Sequence, residues 1–266
     1  MQLTFWGVRG STPTPVAENL GYGGNTSCLE IATSENERII VDAGTGIRNL
    51  GLSKPHGATS HLFLTHFHWD HIQGLPFFAP LFQKGNKVAF YSFPHAEQIR
   101  ERLAFQMSNP FFTLDFDAAA STREFQQIEN APVHLGSLSV TSFPLNHPQG
   151  ACGYRIESHR AAIVIATDVE HGHPVLDKVL REHAEGADVL VYDSHYTEEE
   201  YASHRGWGHS TCTEAARVAK DAGVKQLVLF HHHPLHSDSK TDEIVKQTRN
   251  LFENCIAARE RHCIAL

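Results

Sequence analysis

The segment LFLTHFHWDHIQG, residues 62–74, places His66, His68, Asp70 and His71 within one six-residue span. Neutral imidazole suits Zn and Fe, and carboxylate also suits harder ions such as Mn, so the four side chains form a plausible ligand set for a metal. With 20 His in 266 residues, a lone His-x-His could arise by chance; the His-x-His-x-Asp-His pattern is longer than that. On a tight loop His66 and His68 can point one way and Asp70 and His71 the other, which would serve two adjacent ions.

Such groups need rigid elements behind them. Strand-like runs recur at LTFW (3–6), CLEIA (28–32), RIIVD (38–42), HLFLT (61–65) and KVAFYS (87–92). Others follow at LSVTSF (138–143), GYRIES (153–158), AAIVIATD (161–168), DVLVYD (188–193) and QLVLF (226–230), alternating with helical segments. One helix is expected to start at Thr211, which with Glu214 has capping-box spacing, and to end at Gly223; a second is expected over about 241–260. Where strands stop, polar residues stand: His66, Asp168, Asp193 and His231. With His147 they describe a site built from loops at one sheet edge, where α/β proteins tend to put chemistry. With no linker, low-complexity tract or short repeat, one α/β domain over residues 1–266 is the simplest organisation.

Bulk properties exclude several classes. A formal charge of −8 and the lack of a Lys/Arg block argue against long nucleic acid as a partner. No apolar run reaches membrane-spanning length and the N-terminus lacks a leader pattern, so the expected location is the cytoplasm. The cysteines (28, 152, 212, 255 and 263) are odd in number and form no Cys-x-x-Cys pair, which disfavours a disulfide framework or thiolate zinc site.

THFHWDHIQG, NHPQGACGYRI, IATDVE and LFHHHP, in that order, resemble the successive metal motifs of the metallo-β-lactamase fold. The resemblance covers nearly the whole chain. It implies an αββα sandwich, two mixed sheets flanked by helices, with two divalent ions at the sheet edge: Zn first, with Mn or Fe as alternatives. Carried over by position, His66, His68 and His147 would hold one ion, Asp70, His71 and His231 the other, and Asp168 both. His232 and His233 would be surface or supporting groups.

GWGHST followed by VKQLVLFH is similar to the His-Ser-Thr motif of the ribonuclease Z-like phosphodiesterases, which implies that His209 lies close to the scissile phosphate. ADVLVYDSHYTEEE resembles the segment that supplies a partnering carboxylate, making Asp193 the group that orients His209. Two ions about 3.5–4 Å apart suit phosphodiester hydrolysis because they share a water, lower its pKa and stabilise charge on the phosphoryl group. Asp70 would help to orient or deprotonate that water.

Ribonuclease Z enzymes that process transfer RNA often carry a long arm between the third histidine motif and the bridging aspartate. Here residues 148–167 are filled by GYRI, a turn and a strand. The opening GVRGSTPTP…GYGGNTSCLE also looks like that of compact relatives that cleave cyclic nucleotides, so a small phosphodiester is the expected substrate. An RNA endonuclease, or a hydrolase of esters, lactones or thioesters, is the alternative. Residues 93–130 form a candidate lid or homodimer contact, and most Phe of LPFFAPLF and NPFFTLDF are expected in the core. Asp42 is a candidate carboxylate behind a liganding histidine, Trp69 a packing or pocket-wall residue, and His171 and His173 exposed loop groups.

Overall fold

The structure is a computed structural model that describes residues 1–33, 37–53, 57–92, 98–128 and 131–266. Strands β1 (Gln2–Gly7), β2 (Cys28–Ala32), β3 (Arg38–Val41), β4 (Thr59–Leu64), β5 (Lys87–Ser92) and β6 (Thr122–Gln127) lie side by side in one sheet. From β1 to β3 the pairing is antiparallel, and from β3 to β6 parallel. The second sheet runs in order through β7 (Val133–Leu135), β8 (Leu138–Leu145), β9 (Ala151–Glu157), β10 (Ala162–Ala166), β11 (Val189–Asp193), β12 (Gln226–Phe230) and β13 (Cys255–Ala257). It too changes from antiparallel to parallel, at β10. A last strand, β14 (Cys263–Ala265), returns to the first sheet beside β1.

Apolar runs form these central strands because both of their faces are buried. In β4, Phe63 turns into the layer between the sheets while Leu62 and Leu64 turn outward. In β10, Ile163 and Ile165 face inward and Val164 and Ala166 outward. Helices cover the outward faces. On the first sheet lie α1 (Ile47–Leu52) and, beyond the four-residue α2 (Trp69–Ile72), α3 (Ile99–Gln106). On the second lie α4 (Pro174–Ala184) and, after the one-turn α5 (Glu198–Tyr201), α6 (Cys212–Asp221) and α7 (Asp238–Arg249). The result is the expected αββα sandwich, and no helix among the described residues is long and apolar enough to cross a membrane.

Two expectations change in detail. Thr211 caps α6, its hydroxyl accepting from the Glu214 N–H at 3.1 Å, but the Glu214 carboxylate turns to Arg181 and Arg217 instead of closing a box. The helix expected to about 260 ends at Arg249, and residues 255–257 leave it to pair with β12, where the Arg249 Nε–H donates to the Cys255 carbonyl. Within residues 93–130, of which 93–97 and 129–130 lie outside the described residues, β6 belongs to the first sheet and α3 stands beside the histidine loop.

Candidate metal centre

The strands deliver their polar residues to one end of the sandwich. His66 follows β4, Asp70 and His71 sit on α2, His147 follows β8, Asp168 follows β10 and His231 follows β12. Asp42, Asp168 and His231 adopt left-handed backbone at φ 63°, 57° and 61°, as do Ser11 and Gln149 nearby. This conformation is costly for a residue with a Cβ, of order 1–3 kcal/mol, and such residues cluster at functional sites. Here it turns the chain sharply at the strand end.

The expected ligands converge. One ligand atom from each of His66, His68 and His147 lies within 4.8 Å of the others, and the same holds for Asp70, His71 and His231. Asp168 stands between the groups. Its Oδ1 is 3.8 Å from His66 Nε2 and 3.9 Å from His147 Nε2, while its Oδ2 is 3.1 Å from His71 Nε2 and 3.4 Å from His231 Nε2. Asp70 Oδ2 lies 3.1 Å from His231 Nε2 and 3.4 Å from His71 Nε2. Tetrahedral ligands at zinc distances of about 2.0–2.2 Å sit about 3.4 Å apart, so these spacings fit metal ions. The buried His66 Nε2 has no hydrogen-bond partner in the protein, which leaves a lone pair for one.

A surrounding set of hydrogen bonds fixes which nitrogen each imidazole presents. Asp42 is fully buried, and its Oδ2 takes the Nδ1–H of His71 at 2.7 Å. Its Oδ1 accepts from the Thr65 N–H at 2.9 Å, and the Thr65 hydroxyl bonds both Asp42 and, at 3.0 Å, His66 Nδ1. His147 Nδ1–H donates to the Gly208 carbonyl at 2.8 Å. These three rings therefore present Nε2. His68 does the reverse: its Nε2–H donates to Gln149 Oε1 at 2.7 Å, and its Nδ1 faces His147 Nε2 at 3.1 Å. Asp42→Ala should lower metal affinity about 10–100-fold, the usual cost of removing such a support, as read by competition with a chromogenic chelator.

Next to this cluster, Asp193 is fully buried at the end of β11. Its Oδ2 takes the Nδ1–H of His209 at 2.8 Å and the Asp168 N–H at 3.1 Å; its Oδ1 accepts the His195 N–H at 2.9 Å and the Ser210 N–H at 3.3 Å. Asp193 thus positions both Asp168 and His209. Burial lowers the His209 pKa, but Asp193, with Asp168 and Asp70, more than offsets this and pushes it up to about 9. At His71, too, burial is outweighed, by Asp168, Asp70 and Asp42, and its pKa rises well above the ordinary value. The cluster attracts positive charge, whether proton or metal.

Two contributors escaped the sequence reading. His195 is buried, with its ring against His209 at 4.3 Å between centroids and its Nδ1–H on the His231 carbonyl at 2.9 Å. Burial and then the neighbouring imidazoles hold its pKa well below the ordinary value, so it stays neutral. The only sequence signal was its place two residues beyond a strand-end aspartate. The Gly10–Ser11 turn is the other. A Cβ on Gly10 would stand 2.4 Å from His231 Nδ1, and the Ser11 N–H donates to Asp70 Oδ2 at 2.7 Å.

His232 is buried rather than at the surface, and its Nε2–H donates to the Ala258 carbonyl at 2.9 Å, away from the ligands. His233 packs on His195 and His236. His173 is exposed and caps α4, whereas His171 is only half-exposed and bonds Ser210 Oγ at 2.8 Å. Of the phenylalanines, Phe78 and Phe116 are core and Phe77 and Phe111 are exposed.

Residues 37–232 match the model of the beta-lactamase superfamily domain. A ribonuclease Z of Bacteroides fragilis is 23% identical, with 89% of this chain and 92% of that protein covered. Among solved structures, the metallo-beta-lactamase fold protein YhfI from Bacillus subtilis superposes with a TM-score of 0.75 at 20% identity, covering 99% of this chain and 98% of that one. A diphosphatase from the PhnP family gives a TM-score of 0.73 at 18% identity, covering 100% and 97%.

Proposed function

The chain belongs to the beta-lactamase superfamily, as a metal-dependent hydrolase, and from that premise we propose that it is a two-metal phosphodiesterase acting on cyclic mononucleotides or similarly small phosphodiesters. The observation that carries the reading is Asp168, which offers one carboxylate oxygen to each ligand triad beside the Asp193–His209 pair. His66, His68 and His147 would hold one ion and Asp70, His71 and His231 the other, both shared by Asp168, with zinc the first choice and Mn or Fe suited to the same donors. Bound there, the ions would supply Lewis acidity and lower the pKa of a water.

The chain's own groups do the rest. Asp70, fixed by the Ser11 N–H, presents a carboxylate that orients the attacking water. Asp193 occupies Nδ1 of His209 and favours its protonated form, so His209 contacts the phosphoryl oxygens and gives its Nε2 proton to the leaving oxygen. In this reading the protein works in the cytoplasm as a homodimer on small substrates.

The relatives named ribonuclease Z favour a second reading, an RNA endonuclease. Against it, residues between His147 and Asp168 are spent on β9 and β10 instead of an RNA-gripping arm, and the net charge is −8. A panel of phosphodiesters, a lactam, a lactone and a thioester tests the reaction class. Turnover of phosphodiesters at least about a hundredfold above the other classes is expected; preference for a lactone or thioester would overturn the proposal.

A further inference from the structure

A cavity of about 510 Å³ opens beside the ligand loop, reaching His66 and His68 on one side and α3 on the other. Its volume lies within the roughly 300–1,000 Å³ of small-molecule sites. Two of its lining residues are large aromatics left out of the core, Trp69 at 61% exposure and Phe105 at 66%. Apolar surface left in water is surface that a ligand's flat face would cover favourably.

Both rings have rigid supports. Trp69 opens α2 between His68 and Asp70, so its backbone is tied to the metal-facing loop. Phe105 lies on α3, whose Ile99 and Leu103 are fully buried in the outer core. The Gln106 amide donates to the Ile72 carbonyl at 3.2 Å, joining the end of α3 to the end of α2. Polar groups line the same cavity. Arg102 lies with its guanidinium 4.7 Å from the Phe67 ring centroid, Glu101 adds an acceptor, and Gln149, whose carbonyl is taken by His68, has its amide donors to offer. Arg102 spends one donor on the Gln98 side chain, which leaves its other N–H groups for a polar occupant.

Resting on the phosphodiesterase reading, we propose that this cavity seats the heteroaromatic base of a nucleotide substrate. Trp69 and Phe105 supply the faces it packs on, Arg102, Glu101 and Gln149 meet its edge, and its phosphodiester reaches the ions beside His66 and His68. The site then selects nucleotides over other small diesters by stacking, which tolerates any base, with the edge contacts setting base preference.

The test compares kcat/KM for a cyclic mononucleotide and for the same sugar cyclic phosphate lacking a base, with metal content measured for each protein. Wild type should prefer the nucleotide about tenfold or more, as expected for one stacked base. That preference should fall about tenfold in Phe105→Ala, which lies on α3 and not on a ligand-bearing loop, and in Trp69→Ala, with the metals retained. As a binding readout, a nucleoside monophosphate should quench tryptophan emission in Trp207→Phe but not in Trp69→Phe. Brisk turnover of both substrates without preference, or a preference that survives both alanine substitutions, would overturn the base site and leave the phosphodiesterase reading standing. Failure to cut either substrate, with other phosphodiesters of the panel still cut, would likewise overturn the base site alone, and failure on every phosphodiester would overturn both.

Discussion

Asp168→Ala should lose both ions and lower turnover by about 10³-fold or more, since the Lewis-acid contribution of a paired site is worth several kcal/mol. The carboxylate faces His66 and His147 through Oδ1 and His71 and His231 through Oδ2, so it stands between the two triads with one oxygen toward each. Its removal leaves three neutral imidazoles on one side and two with Asp70 on the other, each short of a ligand and of negative charge. Alanine at φ 57° is strained, whereas asparagine tolerates that backbone. Asp168→Asn is therefore the companion variant, expected to fold and still to bind metal poorly. Elemental analysis of desalted protein should give close to two ions per chain for wild type and fewer than one for either variant. One tightly held ion with full activity would refute the paired site.

His209→Ala should behave differently, keeping close to two ions while losing about 10²–10⁴-fold in turnover, the range for a positioned acid or base. The distinction rests on geometry. The Nδ1 of His209 is committed to Asp193 at 2.8 Å, so although Asp168 comes within 3.9 Å of that nitrogen and the His231 ring stacks on His209 at 5.0 Å between centroids, Nδ1 is already spent on a carboxylate. Asp193→Asn should fall between wild type and His209→Ala, because an amide can still accept the Asp168 N–H but no longer carries the charge that favours a protonated His209. Parallel loss of metal and turnover in His209→Ala would make His209 a ligand instead.

The central strands were legible because burial on both faces writes continuous apolar runs such as QLVLF and AIVIA. The four strands that escaped, β6, β7, β13 and β14, are the outermost strand at each edge of the two sheets. The β6 segment TREFQQ is half-solvated, and the others are three residues long, too short for a period to show. The candidate ligands were legible because each stands at or just beyond the end of a recognisable strand or within the histidine loop. His195 and the Gly10–Ser11 turn were not, since their roles depend on a ring packed across from α6's N-terminal side and a backbone N–H aimed across the sheet edge, neither of which has a sequence spacing. Asp42 was a candidate in sequence, but only the fold brings it under His71.

The most direct measurement is kcat/KM of metal-replete protein for a cyclic mononucleotide and for precursor transfer RNA, side by side at about 50 and 200 mM salt. The expected result is efficient cyclic-nucleotide hydrolysis that changes little with salt, because one phosphate meets two ions rather than a row of Lys and Arg, and weak or no cleavage of the RNA. Efficient RNA cleavage that falls by about 10³-fold across that salt range, as counterion release at many phosphates dictates, with no measurable cyclic-nucleotide hydrolysis, would contradict the assignment.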